Sequence, residues 1–304
     1  MTDLSQLVLG GAGYAGLFRA VDPFSAQATL DAAWTAGIRS FDTAPHYGAG
    51  SSEERLGRFL RGRSGFTVST KVGRLLFDDP TAAEGAEGFY GTPKRSRRRD
   101  YSAAGTRMSV ADSLARSGLD RFDTLLVHDP DDHMEQALAE TVPELARLRS
   151  EGRCVRIGIG VNRVDVALRF VREAPIDVVL IAGRFTLLDR QAETELLPEC
   201  ARRGIRVLAA GVLNSGILAD PDRLSTFDYR LAADEVIMRA QAMAKVCAKY
   251  EVPLRAAALQ FPGRHPMIGG TVIGASSAAE VADTIAMLKV AVPEELWEEL
   301  DRCL

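Results

Sequence analysis

Eight short apolar runs punctuate the chain, at residues 7–11, 38–42, 66–71, 124–128, 155–161, 178–182, 206–210 and 271–274. Longer stretches of helical period separate them, with apolar residues returning every three to four positions. Short apolar runs alternating with such segments are the pattern of β-α-β units around a parallel sheet. Eight of them in 304 residues predict an α/β fold, one closed (β/α)8 TIM barrel spanning residues 1–304 as a single domain.

The intervening segments carry start and stop signals. Ser51 and Glu54 make a Ser-x-x-Glu capping box, and Leu56, Phe59 and Leu60 then share a face. Leu138, Val142, Leu145 and Leu148 recur before Gly152, a helix stop, with Arg147 and Arg149 suited to the negative end of the helix dipole. Residues 72–106 and 213–231 break the rhythm. Each follows the carboxyl end of a strand, the end at which barrels place their active sites, so both are expected to be long substrate-covering loops. The basic run Lys94-Arg95-Ser96-Arg97-Arg98-Arg99 in the first reads either as an anion clamp or as solvated surface.

Composition narrows the class. With 46% hydrophobic and 26% charged residues the chain is neither disordered nor fibrous, and 37 basic against 41 acidic residues point away from nucleic acid or an anionic membrane as partner. A small molecule becomes the expected partner, with the oligomeric state open. Cys154, Cys200, Cys247 and Cys303 are widely spaced with no Cys-x-x-Cys pair, so no zinc cluster or redox motif is expected. The first residues show no basic region ahead of an apolar one, and no apolar run reaches the ~18 residues of a membrane span. The expected location is cytoplasmic.

Asp42, Lys71 and His128 end three predicted strands, and Tyr47 follows the first of them. Ionisable groups finishing apolar barrel strands are costly to bury singly, so they are expected to meet. One reading is structural, an Asp42–Lys71 ion pair beside a core histidine. The other is chemical: Lys71 lowers the pKa of the Tyr47 phenol, Asp42 holds Lys71, and His128 orients a carbonyl or alcohol oxygen. That set suits carbonyl–alcohol redox chemistry without a metal.

The segments carrying these residues resemble a known family. Phe41-Asp42-Thr43-Ala44-Pro45-His46-Tyr47-Gly48, Ser52-Glu53-Glu54-Arg55-Leu56-Gly57, Ser69-Thr70-Lys71-Val72-Gly73-Arg74 and Leu126-Val127-His128-Asp129-Pro130-Asp131 are similar, in order and spacing, to the signature segments of the aldo-keto reductases. The resemblance implies a (β/α)8 barrel that binds a nicotinamide dinucleotide, with Asp42, Tyr47, Lys71 and His128 as its catalytic tetrad. It places Val161 and Asn162 at the nicotinamide carboxamide. Many relatives carry a glutamine near position 182 and a stacking tyrosine after the seventh strand. This chain has Ala182 and the small residues around Gly211 and Leu213 instead.

The adenosine end of the dinucleotide is expected at Gly274, Ser276, Ser277 and Glu280, where a helix opens. No Lys or Arg occurs from Gly274 to Leu288, and Glu280 stands where NADP-preferring relatives often have Arg. A carboxylate there repels a 2′-phosphate and accepts from a ribose hydroxyl, so NAD is the expected cofactor ahead of NADP. Only residues 1–6 precede the first strand, so the family's amino-terminal hairpin is expected to be reduced.

Among family members the chain is most similar to a bacterial branch of sugar 1-dehydrogenases, acting on L-fucose or D-threo-aldoses, and of pyridoxal 4-dehydrogenases. The implied reaction is oxidation of a cyclic hemiacetal to a lactone. The alternatives are pyridoxal oxidation, general aldehyde or ketone reduction, a Schiff-base aldolase using Lys71, and a redox-sensing subunit with little turnover. Tyr14, Phe18, His46, Phe77 and Phe89 are the expected substrate-pocket residues.

Overall fold

In the computed structural model, which describes residues 4–303, eight parallel strands close into a barrel. They are β1 (Leu7–Gly10), β2 (Ser40–Asp42), β3 (Thr67–Val72), β4 (Thr124–His128), β5 (Arg156–Val161), β6 (Val178–Ala182), β7 (Arg206–Ala210) and β8 (Ile268–Gly274). Each pairs with its neighbours in sequence, and β8 closes on β1 through Leu7 opposite Thr271. All eight apolar runs are strands. The last begins earlier than its sequence suggests, because Gly269 and Gly270 dilute the apolar signal where the pairing register shifts.

Strand periodicity divides the core in two. Val8, Leu126, Val178, Leu180, Leu208, Ala210 and Val272 pack together inside the barrel. Leu7, Leu9, Phe41, Leu125 and Val127 belong instead to the larger apolar layer between strands and helices. Neighbouring residues on a strand face opposite ways, so inner and outer positions alternate. Among the outer helices are α1 (Pro23–Thr35), α2 (Ser51–Leu60) and α3 (Ala103–Ser117).

Several local expectations are corrected. The capping box is not formed: Gly50 caps α2 with a left-handed backbone (φ 92°) and no side-chain bond, while Glu54 accepts from Arg95 at 2.9 Å. The 72–106 segment is not wholly irregular, since Arg74–Asp78 and Arg95–Arg99 pair as an antiparallel hairpin. Its arginine-rich strand has polar side chains on both faces and so lacks the alternation that marks a strand in sequence. Thr226–Phe227 and Arg230–Leu231 form a second, very short hairpin in the later excursion.

Of the segment expected to stand in for an amino-terminal hairpin, Leu4–Gln6 forms a 3-10 turn; residues 1–3 lie outside the described residues. The carboxyl-terminal helix Glu294–Asp301 buries Leu296, Trp297 and Leu300, and Glu299 binds Lys249 and Tyr250. Among the described residues no helix is long and apolar enough to cross a membrane.

Candidate active site

The alternation that fills the barrel also aims its ionisable residues. Phe41, Val68, Leu125 and Val127 face the helices. Asp42, Lys71 and His128, one or three positions away, therefore face the lumen at the carboxyl ends of β2, β3 and β4. Lys71 Nζ donates to Asp42 Oδ2 at 2.6 Å and to the Thr43 carbonyl at 3.0 Å. The other Asp42 oxygen accepts from Ser69 at 2.7 Å. Gly160 on β5 lies beside the lysine stem, where a Cβ would meet Lys71 Cε at an ordinary contact distance of 3.4 Å.

Tyr47 enters the same space from the loop after β2. Its ring centroid is 4.4 Å from Lys71 Nζ and 5.7 Å from the His128 ring, which it meets edge-on. The turn behind it is unusual, with Gly48, Ala49 and Gly50 all at positive φ. Arginines of the hairpin brace that turn: Arg97 donates to the His46 carbonyl at 3.1 Å and Arg95 to the Ala49 carbonyl at 3.0 Å. Within the basic run Lys94, Arg98 and Arg99 are exposed, as the surface reading expects, whereas Arg95 and Arg97 are half-buried. Arg95 and Arg97 hold the loop that carries Tyr47, and Arg98 lies over Phe77.

Helix α2 supports the loop from the other side. Ser52 accepts from Thr43 at 2.7 Å, Glu53 is buried between Thr70 and Arg116, and Arg55 donates to the carbonyls of Tyr14 and Val21. Leu56 fills the core, and Gly57 lets α3 approach so closely that a Cβ would lie 1.8 Å from the Ser117 carbonyl. Residues 52–57 therefore owe their spacing to packing and to fixing the loops on either side.

A cavity of about 550 Å³ opens above Tyr47, Lys71 and His128. Phe18, His46 and Phe89 line it, whereas Tyr14 and Phe77 do not. Tyr14 is fully buried against Ser52, and Phe77 projects from the hairpin under Arg98. Alternation could not reveal this, because both lie in loops whose path the sequence does not define. The walls are tied together by main-chain bonds between residues 16–18 and 88–90, with Phe18 donating to Gly88 and Tyr90 to Gly16, each at 2.9 Å. Tyr229 leans across the mouth with its ring 6.0 Å from Phe18.

Several lining residues escaped the sequence reading, among them Glu87, Tyr90, Asp129 and Tyr229. Arg74 also escaped it as a site residue: it is buried to 8% exposure, donates to Asp129 at 2.8 Å and stands 3.3 Å from His46 Nδ1. One signal was available for this pair, a charged residue directly after each of the motifs Lys-Val-Gly and Leu-Val-His.

Electrostatics reverse one expectation. Burial, reinforced by Asp42, pushes the Tyr47 phenol well above its ordinary value, rather than Lys71 pulling it down. The lysine charge lies against the ring and is balanced by Asp42 at 2.6 Å. Burial and the charges of Arg74 and Lys71 hold His128 well below its usual range, and His46 is depressed by burial and Arg74. At neutral pH the cavity floor thus presents a protonated phenol and neutral imidazoles. Burial also raises Asp129.

The residues expected to meet a dinucleotide fall into two groups. Val161 and Asn162 line the cavity with Gly160, Leu180 and Ala182. Gly211 and Leu213 lie outside its lining, where Gly211 (φ 62°) turns the chain after β7. Gly274 ends β8 facing open space, since a Cβ there would meet nothing within 4 Å. Beyond it, Ser277 caps the helix Ala278–Met287 and Glu280 accepts from the Ser276 amide at 2.8 Å.

This last unit lacks basic residues in sequence, but the fold supplies one. Arg19, from the loop after β1, donates to Ser276 at 2.6 Å and to Glu280 at 2.8 Å. Its separation of 257 residues from Ser276 hides the contact from sequence. An open strand end, a serine-lined helix start and a carboxamide side chain on the cavity wall together fit an extended, anionic dinucleotide.

The model of the Aldo/keto reductase family matches residues 6–304. A D-threo-aldose 1-dehydrogenase of Pseudomonas sp is 42% identical over 98% of this chain and 93% of its own length. A pyridoxal 4-dehydrogenase of Microbacterium luteolum is 36% identical over the same shares. Among solved structures, the glycerol dehydrogenase of Gluconobacter oxydans superposes with a TM-score of 0.78 at 24% identity, over 100% of this chain and 92% of that one. An aldo-keto reductase of Bacillus halodurans in its holo form gives 0.77 at 24% identity, over 98% and 91%. The two structures speak for the barrel.

Proposed function

The chain belongs to the aldo/keto reductase family and is an NAD(P)-dependent oxidoreductase, and from that premise we propose that it oxidises the cyclic hemiacetal of an aldose, such as L-fucose or a D-threo-aldose, to the lactone. The observation that carries this reading is the convergence of Tyr47, Lys71 and His128 on the floor of one cavity that also takes Glu87, Asp129 and Asn162 into its lining. The relative that acts on D-threo-aldoses, at 42% identity, supports the substrate class.

When bound, the dinucleotide accepts the hydride that leaves the anomeric carbon. Val161 and Asn162 would hold its nicotinamide end, and Gly274, Ser276, Ser277 and Glu280 its adenosine end, with Gly211 and Leu213 along the way. Once its phenol has given up its own proton to solvent, Tyr47 accepts the hydroxyl proton as the C=O bond forms, and His128 orients the same oxygen. Asp42 and Lys71 fix the electrostatic surroundings of the phenol. Because Tyr47 rests protonated, it is poised to donate a proton to a carbonyl, and rising pH favours the oxidative direction.

The Lys71 contacts speak against an aldolase. A Schiff base requires a free, neutral amine, whereas this group is 1% exposed and spends two of its donors on Asp42 and Thr43. NAD is the proposed preference, supported by the Glu280 carboxylate at the helix start. Following the reduction of NAD and NADP with L-fucose, D-arabinose, L-galactose, pyridoxal and simple alcohols tests both statements. Failure with every hemiacetal, alongside good reduction of aldehydes, would overturn the dehydrogenase reading. Comparable turnover with NAD and NADP would remove the preference.

A further inference from the structure

One lining residue is held far more firmly than a pocket wall requires. Asp129 follows His128 with a left-handed backbone (φ 43°), a conformation that aspartate tolerates better than most side chains. Its amide donates to the Gly160 carbonyl at 3.1 Å, and its carbonyl accepts from the Tyr101 hydroxyl at 2.8 Å. The same hydroxyl lies 2.5 Å from the His128 carbonyl, so its single proton is shared between the two carbonyls and one buried phenol holds both residues.

The turn delivers a carboxylate into the cavity. Asp129 Oδ2 is 2.8 Å from Arg74 Nη2 and 3.5 Å from His128 Nε2. Arg74 is in turn confined by His46 and by Glu87 at 3.4 Å, and its Nε is buried without a partner. Salt-bridge stability alone gives no reason to put the Asp129 carboxylate on the cavity wall.

We propose that Asp129, steered by Arg74, is a specificity-determining residue that accepts a hydrogen bond from the hydroxyl on the carbon next to the reacting one. The substrates are then cyclic hemiacetals with a free hydroxyl at that neighbouring carbon. The geometry is a triangle. A reacting oxygen bonded to His128 lies ~2.9 Å from Nε2, and the oxygens of a vicinal diol are about one hydrogen-bond length apart. With Oδ2 only 3.5 Å from the same nitrogen, the second hydroxyl falls within its reach. The carboxylate has lone pairs left after Arg74, and a substrate lacking that hydroxyl leaves them buried and unanswered.

This inference rests on the hemiacetal reading and separates the substrates of the two relatives. In pyridoxal hemiacetal the reacting carbon is joined to an aromatic carbon that carries no hydroxyl, so pyridoxal is expected to be a poor substrate.

The test compares L-fucose with 2-deoxy-L-fucose, using the native enzyme and Asp129→Asn. The native enzyme is expected to favour the 2-hydroxy sugar in kcat/KM by about a hundredfold or more. Asp129→Asn should reduce that preference at least tenfold, mainly through KM of the hydroxylated sugar. Dinucleotide binding, followed by fluorescence, reports that the variant is folded. An equal loss on both sugars, or a native enzyme indifferent to the 2-hydroxyl, would overturn the proposal. If no hemiacetal is oxidised, the hemiacetal reading fails separately. Reduction of glyceraldehyde against 3-hydroxypropanal then decides the role of Asp129, and equal kcat/KM values for the two would reject it.

Discussion

Two ion pairs of nearly equal length sit at the carboxyl end of the barrel, one where β2 and β3 end and the other just past β1 and β8. Lys71–Asp42 spans 2.6 Å with side-chain exposures of 1% and 3%, and Arg19–Glu280 spans 2.8 Å with exposures of 62% and 47%. Distance alone would rank them as equals. Solvent separates them: in a dry interior neither charge can be left alone, whereas water screens and readily replaces a partner at the surface. The buried pair is therefore fixed chemistry, and the exposed one is an adjustable contact. The comparison suggests that the reaction is set on the β2–β4 side and cofactor choice on the β8 side.

The sharpest way to break the comparison is to remove one charge from the buried pair. Lys71→Met should destabilise the fold by ~3–5 kcal/mol, because Asp42 is left as an unpaired buried carboxylate, and should abolish turnover. Adding Asp42→Leu should restore much of the stability and none of the activity. Denaturant unfolding with turnover assays reads both. A Lys71→Met protein as stable as the native one would mean that the pair is hydrated and that burial is not what distinguishes it.

Tyr47→Phe removes the proton-exchanging oxygen and leaves the ion pair intact. A fall in kcat of about 10²–10⁴-fold is expected, with dinucleotide binding and thermal midpoint close to native. Loss of binding instead would place Tyr47 in the cofactor site rather than in proton exchange.

The buried side should also set the pH range of stability. His46 and His128 are depressed below 6.5, so the unfolded chain binds protons there that the native state refuses; the stability from keeping them neutral is lost as pH falls below that value. Tyr47 is raised above 10.0, so the native phenol keeps a proton the unfolded chain gives up, and that contribution is lost as pH rises past 10.0. The thermal midpoint should be flat between these limits and fall on both sides. A monotonic profile would show that other groups govern it.

The two sides also differ in how legible they were in sequence. On the buried side strand ends did the work: once β2, β3 and β4 were placed by their apolar runs, Asp42, Lys71 and His128 fell at their carboxyl ends, and the cost of burying them singly predicted that they meet. Loop contacts did not follow. Tyr14 and Phe77 were expected in the pocket and lie outside it, while Arg74 and Asp129 were read only as motif neighbours. The arginine-rich strand looked like a loop because both its faces are polar. The absence of cations near Glu280 was correct for the segment and incomplete for the space around it, since Arg19 arrives from the other end of the chain.

That contact defines the smallest expected effect. With Glu280 in place, Arg19 is engaged by a carboxylate and by Ser276, so a 2′-phosphate would have to compete for it against a fixed negative charge. In Glu280→Gln the repulsion disappears and Arg19 is released toward an incoming anion. NADP should then gain about tenfold in Kd relative to NAD, a change of ~1.4 kcal/mol, while the thermal midpoint stays near native because an exposed pair contributes only ~0–1 kcal/mol. Arg19→Ala in the same background should cancel the NADP gain, isolating the arginine as its source. An unchanged NADP affinity in Glu280→Gln would mean that this corner does not read the phosphate, and the division between a fixed reaction side and an adjustable cofactor side would have to be redrawn.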